Sequence, residues 1–192
     1  MYFWQRYRTG MRKPKKIVLS GAPGSGKTSV ICELEKKGFN VDHEVIRDHT
    51  ALLLSDKEGV FENPLEALDD PIPFNETLLN LRLYRFQNQN SEDTFFDRGM
   101  VDVLAYMDHF NQKYPQHFED TCSQNKYDQL FYFEPWESIY TPDPTRLETF
   151  KSVLQIDKAL KNAYYCFGYE INIVPQTSVE ERADFILKAL LD

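Results

Sequence analysis

Gly21-Ala-Pro-Gly-Ser-Gly-Lys-Thr28 has the spacing GxxxxGK[ST] and stands directly after the short apolar run Lys16-Ile-Val-Leu-Ser20. A buried strand that ends on a glycine and opens a helix is the setting of a P-loop. Glycines let the backbone curl around a phosphate, so that several N–H groups point inward at a helix N-terminus, where the dipole also favours negative charge. Lys27 then reaches the terminal phosphates, and the Thr28 hydroxyl reaches Mg²⁺. Gly21, Ala22, Pro23, Gly24, Ser25, Gly26, Lys27, Thr28 and Ser29 are the expected nucleotide-binding residues, with ATP as the donor, GTP as the alternative and Mg²⁺ as the metal.

Outward from this element, the pattern alternates between strands and helices. A helix is expected over 28–37, with Val30, Ile31 and Leu34 on one face and Gly38 as its stop. A brief second strand covers 39–41, and a helical stretch runs from Glu44 to Leu54. Residues 55–73 carry Gly59, Pro64, Pro71 and Pro73 among acidic residues and read as an irregular insertion. A helix over 74–89 places Phe74, Leu78, Leu81 and Phe86 near helical spacing, with Arg82 and Arg85 on another side. Thr94-Phe-Phe96 is a third strand, 100–113 a helix, and Leu130-Phe-Tyr-Phe133 a fourth strand after a polar connection. A helix from about 145 to 167 presents Leu147, Phe150, Leu154, Leu160 and Tyr164, and a fifth strand covers 170–174. Ser178-Val-Glu-Glu181 is a capping box for a last helix, with Val179, Ala183, Ile186 and Leu190 inward. Short strands separated by helices require crossover connections, so the fold is expected to be α/β: three layers, a five-stranded parallel sheet with helices on both faces.

The length of 192 residues suits one domain. Residues 1–15 read as a flexible basic arm and 16–192 as a single P-loop domain, with the insertion at about 55–73 and a lid at about 135–150. A net charge of −8 argues against a general nucleic-acid or membrane binder. The aromatic and basic N-terminus has no uninterrupted apolar core, so neither a signal nor a membrane span is expected, and the chain is expected to be cytoplasmic. Cys32, Cys122 and Cys166 are far apart, lack a CxxC pair, and read as reduced.

The strand ends supply the remaining candidates. Parallel strands bring their carboxyl ends to one rim, so the residues after Ser20, Val41, Phe96, Phe133 and Val174 converge on one crevice. Asp97-Arg98-Gly99 ends the third strand, where an acidic group reaches the metal or the attacking hydroxyl, the alternative being a surface ion pair with a turn glycine. Asp102 reads as a cap or a solvated acid. Glu44 and Arg47 are candidates for an acceptor's hydroxyl and its anionic end, or else an intrahelical ion pair. Arg146 is either a lid arginine that swings over the phosphates or a surface residue. Trp136 and Tyr140 line the acceptor pocket or belong to the core, and His43 and His49 read as surface residues. Asn125-Lys-Tyr-Asp128 matches the guanine-reading NKxD, but it precedes a strand where a base-reading loop should follow one.

GAPGSGKTS, HEVIRD, FFDRGMVDVLAYM, YDQLFYFEPWESIY, TRLETF and VPQTSVEERADFIL together resemble the predicted ATPases of the NadR-like AAA family, over about residues 16–190. That family shares a P-loop with the nicotinamide-riboside kinase domain of NadR and includes a eukaryotic GTP-binding trafficking protein. The resemblance implies a nucleoside/nucleotide-kinase-like fold, with Gly21–Ser29 on nucleotide and Mg²⁺. It also implies Thr28 and Asp97 on the metal, Glu44, Arg47 and Arg98 on the acceptor side, and Arg146 as the lid arginine. Val101 stands where the family's DRGLPD pattern has proline, a difference expected to affect the helix start rather than the chemistry.

Two readings follow. The first is transfer of the γ-phosphoryl group from ATP·Mg²⁺ to a nucleoside-like hydroxyl acceptor, with Lys27, Asp97, Arg98, Glu44 and Arg146 as the catalytic set. The second is a nucleotide-dependent (ATP or GTP) regulatory switch or binding protein with slow hydrolysis, which guanine preference through Asn125–Asp128 without acceptor-dependent turnover would mark.

Overall fold

The structure is a computed structural model that describes residues 13–44, 70–89, 91–140 and 149–191. The expected irregular insertion at about 55–73 lies outside the described residues as far as 69, and its last two positions, Ile72 and Pro73, already belong to the helix that follows, since proline is tolerated in a first helical turn. The arm is described only from Lys13, and Lys15 already donates its backbone N–H to Asp93 Oδ1 at 2.7 Å.

Five strands form one parallel sheet in the order β2-β3-β1-β4-β5: β1 (Lys16–Gly21), β2 (Asn40–Asp42), β3 (Thr94–Asp97), β4 (Gln129–Phe133) and β5 (Ile171–Ile173). The described helices are α1 (Lys27–Lys36), α2 (Ile72–Asn88), α3 (Met100–His109), α4 (Gln116–Gln124), α5 (Phe150–Cys166) and α6 (Val179–Ala189). The central strands alternate strictly. Val18, Phe96, Leu130 and Tyr132 face a core built with α2, α3, α4 and α5. Ile17, Leu19, Phe95, Phe131 and Phe133 face a second core under α1 and α6. A period of two with both faces apolar is what a parallel sheet covered on both sides demands. The α/β three-layer architecture expected from the sequence is therefore the one observed.

Three local expectations are corrected. The connection before β4 contains α4, whose polar sequence buries only Phe118 and Cys122, one turn apart; so narrow an apolar stripe leaves little periodicity to read. Arg82 lies on the buried face of α2 beside Leu78, Leu79 and Phe86, because its guanidinium finds polar partners there. In α5 the inward side is Val153, Ile156, Leu160, Ala163 and Tyr164, while Leu154 is exposed. That helix begins after Thr149, whose hydroxyl accepts from the Ser152 N–H. The capping box at Ser178 and Glu181 is present as expected.

The register positions the chemistry. Leu19 pairs with Asp97 and Gly21 with Phe133, so the carboxyl ends of β3 and β4 flank the point where the glycine loop leaves β1. Gly21 has φ +143°, and a Cβ there would lie 2.1 Å from the Phe133 carbonyl oxygen. Gly21→Ala is expected to destabilise the fold by several kcal/mol, about 1–3 from backbone strain and about 1–3 from overpacking. Urea titration of the purified variant measures this.

Candidate active site

The loop after β1 carries positive φ at Gly24 (+72°) and Gly26 (+81°), which curls it onto the start of α1. That helix start has no side-chain cap and no acidic residue in its first turn, so its free N–H groups remain available to an anion. Lys27 is buried, and its ammonium donates to the Gly21 and Ala22 carbonyls at 2.8 and 2.7 Å and to Ser25 Oγ at 3.0 Å. Burial and then the Arg98 guanidinium push it down to about 7, against the pull of Asp97, Glu44 and Asp102.

Asp97, at the end of β3, is buried, and its Oδ1 has no hydrogen-bond partner among the described residues. Burial, and next the Glu44 carboxylate, raise its pKa, while Arg98, Lys27 and Arg82 oppose the shift. Arg98 follows in a left-handed conformation, φ 69°, a conformation that costs a non-glycine residue energy and persists only where surroundings hold it. The holding groups are Glu44 Oε2, 3.0 Å from Nε, together with Asp102 Oδ1 and the Gly21 carbonyl, 3.3 and 3.4 Å from Nη1. Arg82 reaches the same place from α2, donating to the Gly99 carbonyl at 2.7 Å and to Glu44 Oε1 at 3.2 Å. Both oxygens of Glu44 are thus held by guanidinium groups from different elements. Glu44 itself follows β2 in irregular backbone, and the rest of the helical stretch expected to Leu54 lies outside the described residues. Arg85 sits one turn beyond Arg82 and pairs with Asp42 at 2.7 Å.

Asp102 is buried and far from solvated. It accepts from Ser20 Oγ at 2.7 Å, from the Gly99 N–H at 2.8 Å and from the Tyr164 hydroxyl at 2.5 Å, besides Arg98. It is a cap, as one of its readings had it, and also a buried junction between β1, α3 and α5. Burial works to raise its pKa, but Arg98, Arg82, the Tyr164 hydroxyl and the Gly99 N–H together hold it below the ordinary carboxylate value. Gly99 is required by this crowding, since a Cβ would come within 2.8 Å of the Tyr164 oxygen.

The other wall of the loop is built by Pro135–Tyr140 and α6. Tyr140 lies over Gly24, where a Cβ would meet its ring at 2.7 Å, and Ile139 lies near Gly26. Arg182 on α6 donates to the Ser25 carbonyl at 3.3 Å, with its guanidinium 5.4 Å from the centre of the Trp136 ring. Tyr140 therefore packs against the glycine loop, and Trp136 against the Arg182 that braces it.

Gly21–Ser29, Asp97, Arg98 and Glu44 gather as the sequence implies. Arg47, Arg146 and His49 lie outside the described residues, as does the lid beyond Tyr140. His43 is exposed and pairs with Glu35 at 3.1 Å. Asn125–Asp128 sits at the opposite end of the sheet: Asp128 accepts from the backbone N–H of Lys16, the first residue of β1, about 17 Å of strand from Gly21. Sequence reasoning missed Arg82, Tyr164 and Arg182, whose spacing signals only helix faces. A groove of about 880 Å³ between α3, α4 and α5 contains none of the loop, Asp97 or Glu44. The strand rim, where a buried unpartnered carboxylate meets a glycine loop, is the candidate site. The three cysteines are free thiols, and among the described residues no helix is long and apolar enough to cross a membrane.

A sheet in this order, with a glycine loop leaving its central strand and an acid at the end of the neighbouring one, defines a P-loop protein of the nucleoside- and nucleotide-kinase type of fold. The chain belongs to the AAA domain family AAA_28, whose profile spans residues 16–182. No curated protein matches it. Its fold is similar to that of a deoxyadenosine kinase from M. mycoides with the products dCMP and a flexible dCDP bound: 16% identity, TM-score 0.65, covering 92% of this chain and 98% of that one. It is also similar to a thymidylate kinase from Candida albicans, at 13% identity and TM-score 0.66, covering 93% of this chain and 92% of that one. The NadR protein in complex with NR matches at 13% identity and TM-score 0.68, covering 91% of this chain and 51% of that one.

Asp102→Asn is expected to cost about 3 kcal/mol or more, the scale for breaking a buried charge pair. Since the folded carboxyl lies below its unfolded value of about 3.9, its contribution is complete above roughly pH 5 and is lost as pH falls through the folded pKa. Denaturation of wild type and variant across pH 3–7 should show a constant gap at the upper end that narrows below about pH 4.

Proposed function

We propose that this protein is a small-molecule kinase that transfers the γ-phosphoryl group of ATP·Mg²⁺ to the hydroxyl of a nucleoside-like acceptor. The observation that carries this is the buried, unpartnered Oδ1 of Asp97 at the strand end beside the Lys27 loop. A carboxylate left unsatisfied in the interior is costly unless a bound group completes it.

The residues present fit a magnesium ion. Among the described residues no three His, Cys, Asp or Glu side chains form a cage, and Mg²⁺ needs none, because it takes one or two protein ligands with substrate phosphates and water. Thr28 and Asp97 would hold it, and when bound it neutralises charge on the β- and γ-phosphates. Gly21–Ser29 cradle the triphosphate, and Lys27 turns from the Gly21 and Ala22 carbonyls toward phosphate oxygens. Glu44, fixed by Arg82 and Arg98, retains lone pairs that accept the acceptor's hydroxyl proton and aim its oxygen. Asp97, with its raised pKa, is the other base candidate. Arg98 holds the Gly21 carbonyl and Glu44 in one frame, so loop and acceptor carboxylate move together. Arg47 would contribute on the acceptor side, and Arg146 would neutralise charge on the transferred group. Such chemistry is mainly positioning and electrostatics. Nucleotide and acceptor are the expected partners, without general nucleic-acid binding. GTP is the alternative donor, and the NKxD residues do not read it, since they lie at the far end of the sheet.

Turnover of ATP and GTP with Mg²⁺, with and without a panel of nucleosides, tests the reading. Acceptor-stimulated turnover with a phosphorylated product is expected; tight binding with slow, acceptor-independent hydrolysis would make the protein a switch instead. Lys27→Ala is expected to abolish tight Mg²⁺-nucleotide binding, and retained affinity in calorimetry would refute the loop's role. Asp97→Asn and Glu44→Gln are each expected to lower acceptor phosphorylation by about 100-fold or more while nucleotide still binds. Only Asp97→Asn should also raise the Mg²⁺ concentration needed for half-maximal rate.

A further inference from the structure

Arg182 differs from the other buried arginines. Arg82 and Arg98 meet Glu44 at 3.2 and 3.0 Å, and half-buried Arg85 meets Asp42 at 2.7 Å. Arg182 is 4% exposed, yet no carboxylate among the described residues pairs with it. Glu181 on the same helix is committed to the Ser178 cap, and Glu180 is exposed. The Arg182 Nε–H is buried and has no partner among the described residues. Burial, with no opposing charge, lowers its pKa. An unpaired buried cation costs the free protein stability, so its retention points to a counter-anion that arrives from outside.

Its position says which anion. Nη1 donates to the Ser25 carbonyl, and a Cβ at Gly26 would lie 2.7 Å from the same nitrogen, so the guanidinium lies against the glycine loop on the side to which the Ser25 carbonyl points. The Ser25–Gly26 peptide is planar and trans, so its carbonyl and its N–H point to opposite sides. Gripping the carbonyl fixes the plane of this peptide and so turns the Gly26 N–H to the face of the loop opposite Arg182. Trp136, 5.4 Å from the guanidinium carbon, packs on the guanidinium and helps to hold it there.

We propose that Arg182 is a donor-positioning residue, which orients the Gly26 N–H toward the polyphosphate and takes that polyphosphate as the counter-charge of its own buried guanidinium. The inference rests on the reading of the glycine loop as a nucleotide site and adds to it a residue from the last helix. Arg182 touches no reacting atom; it acts through the peptide it holds and through its charge.

The test compares wild type, Arg182→Met, Arg182→Lys and Lys27→Ala. Binding of ATP and of inorganic tripolyphosphate, each with Mg²⁺, is measured by calorimetry, and unfolding is followed without ligand. Arg182→Met is expected to weaken both ligands by the same factor, roughly tenfold to hundredfold, with Arg182→Lys recovering part of the loss. Ligand-free Arg182→Met should unfold at or above the wild-type temperature, because an uncompensated charge has been removed. Wild-type affinity for ATP, a loss confined to ATP with tripolyphosphate unaffected, or a ligand-free variant that unfolds early without recovery in Arg182→Lys would each overturn the proposal. Wild type that binds neither ligand, or Lys27→Ala that binds both normally, would instead bring down the nucleotide reading, and the role of Arg182 with it.

Discussion

The structure turns on one buried carboxylate. Asp102 accepts from the side chain of β1, from the N-terminus of α3 and from the hydroxyl of α5, and it closes an ion pair with Arg98. A charge this deep is tolerated only when its lone pairs are filled and its sign is balanced. Satisfying it therefore fixes where α3 starts, how α5 lies on the sheet and which way Arg98 points. From Arg98 the constraint passes to Glu44 and to the Gly21 carbonyl, so the entry of the glycine loop and the carboxylate that follows β2 share one support.

That network divides the rim into two walls. On the β2–β3 side, every guanidinium described is engaged by a carboxylate, and the polar groups are held by one another. On the α6 side, the glycine loop is roofed by Tyr140 and Ile139 and braced by Arg182, with little charge to balance it. The asymmetry suits a protein that handles two ligands: a polyanion on a backbone cradle, and a smaller partner presented to oriented carboxylates. Between them lies Asp97, whose buried free oxygen belongs to neither wall.

The fold was legible because its signals are local. Strands such as Ile17-Val-Leu19 and Leu130-Phe-Tyr-Phe133 are short apolar runs beside glycine or polar breaks, and α6 announces itself by Ser178 and Glu181. Where the local signal was thin, reading failed. The helix α4 buries two side chains, and Leu154 sat in an apolar run whose inward direction only packing decided. Arg82 reads as a solvent-facing residue until its partners are known, because burial of an arginine depends on acceptors brought from 17 and 38 residues away. Asp102 reads as a cap or a solvated acid, and its burial comes from Ser20 and Tyr164, which spacing cannot connect to it.

By itself the sequence determined the α/β class, the glycine loop with its lysine and threonine, and the acid at the end of β3, since each is encoded within a dozen neighbouring residues. Only the tertiary structure decided the strand order, the double grip on Glu44, the burial of Asp102 and the placing of Arg182, with Trp136 packed on it, against the loop. The physical reason is the range of the forces involved. Periodicity and backbone preference act along the chain, whereas the partner of a buried charge is chosen by which distant elements the packed sheet brings within hydrogen-bonding distance.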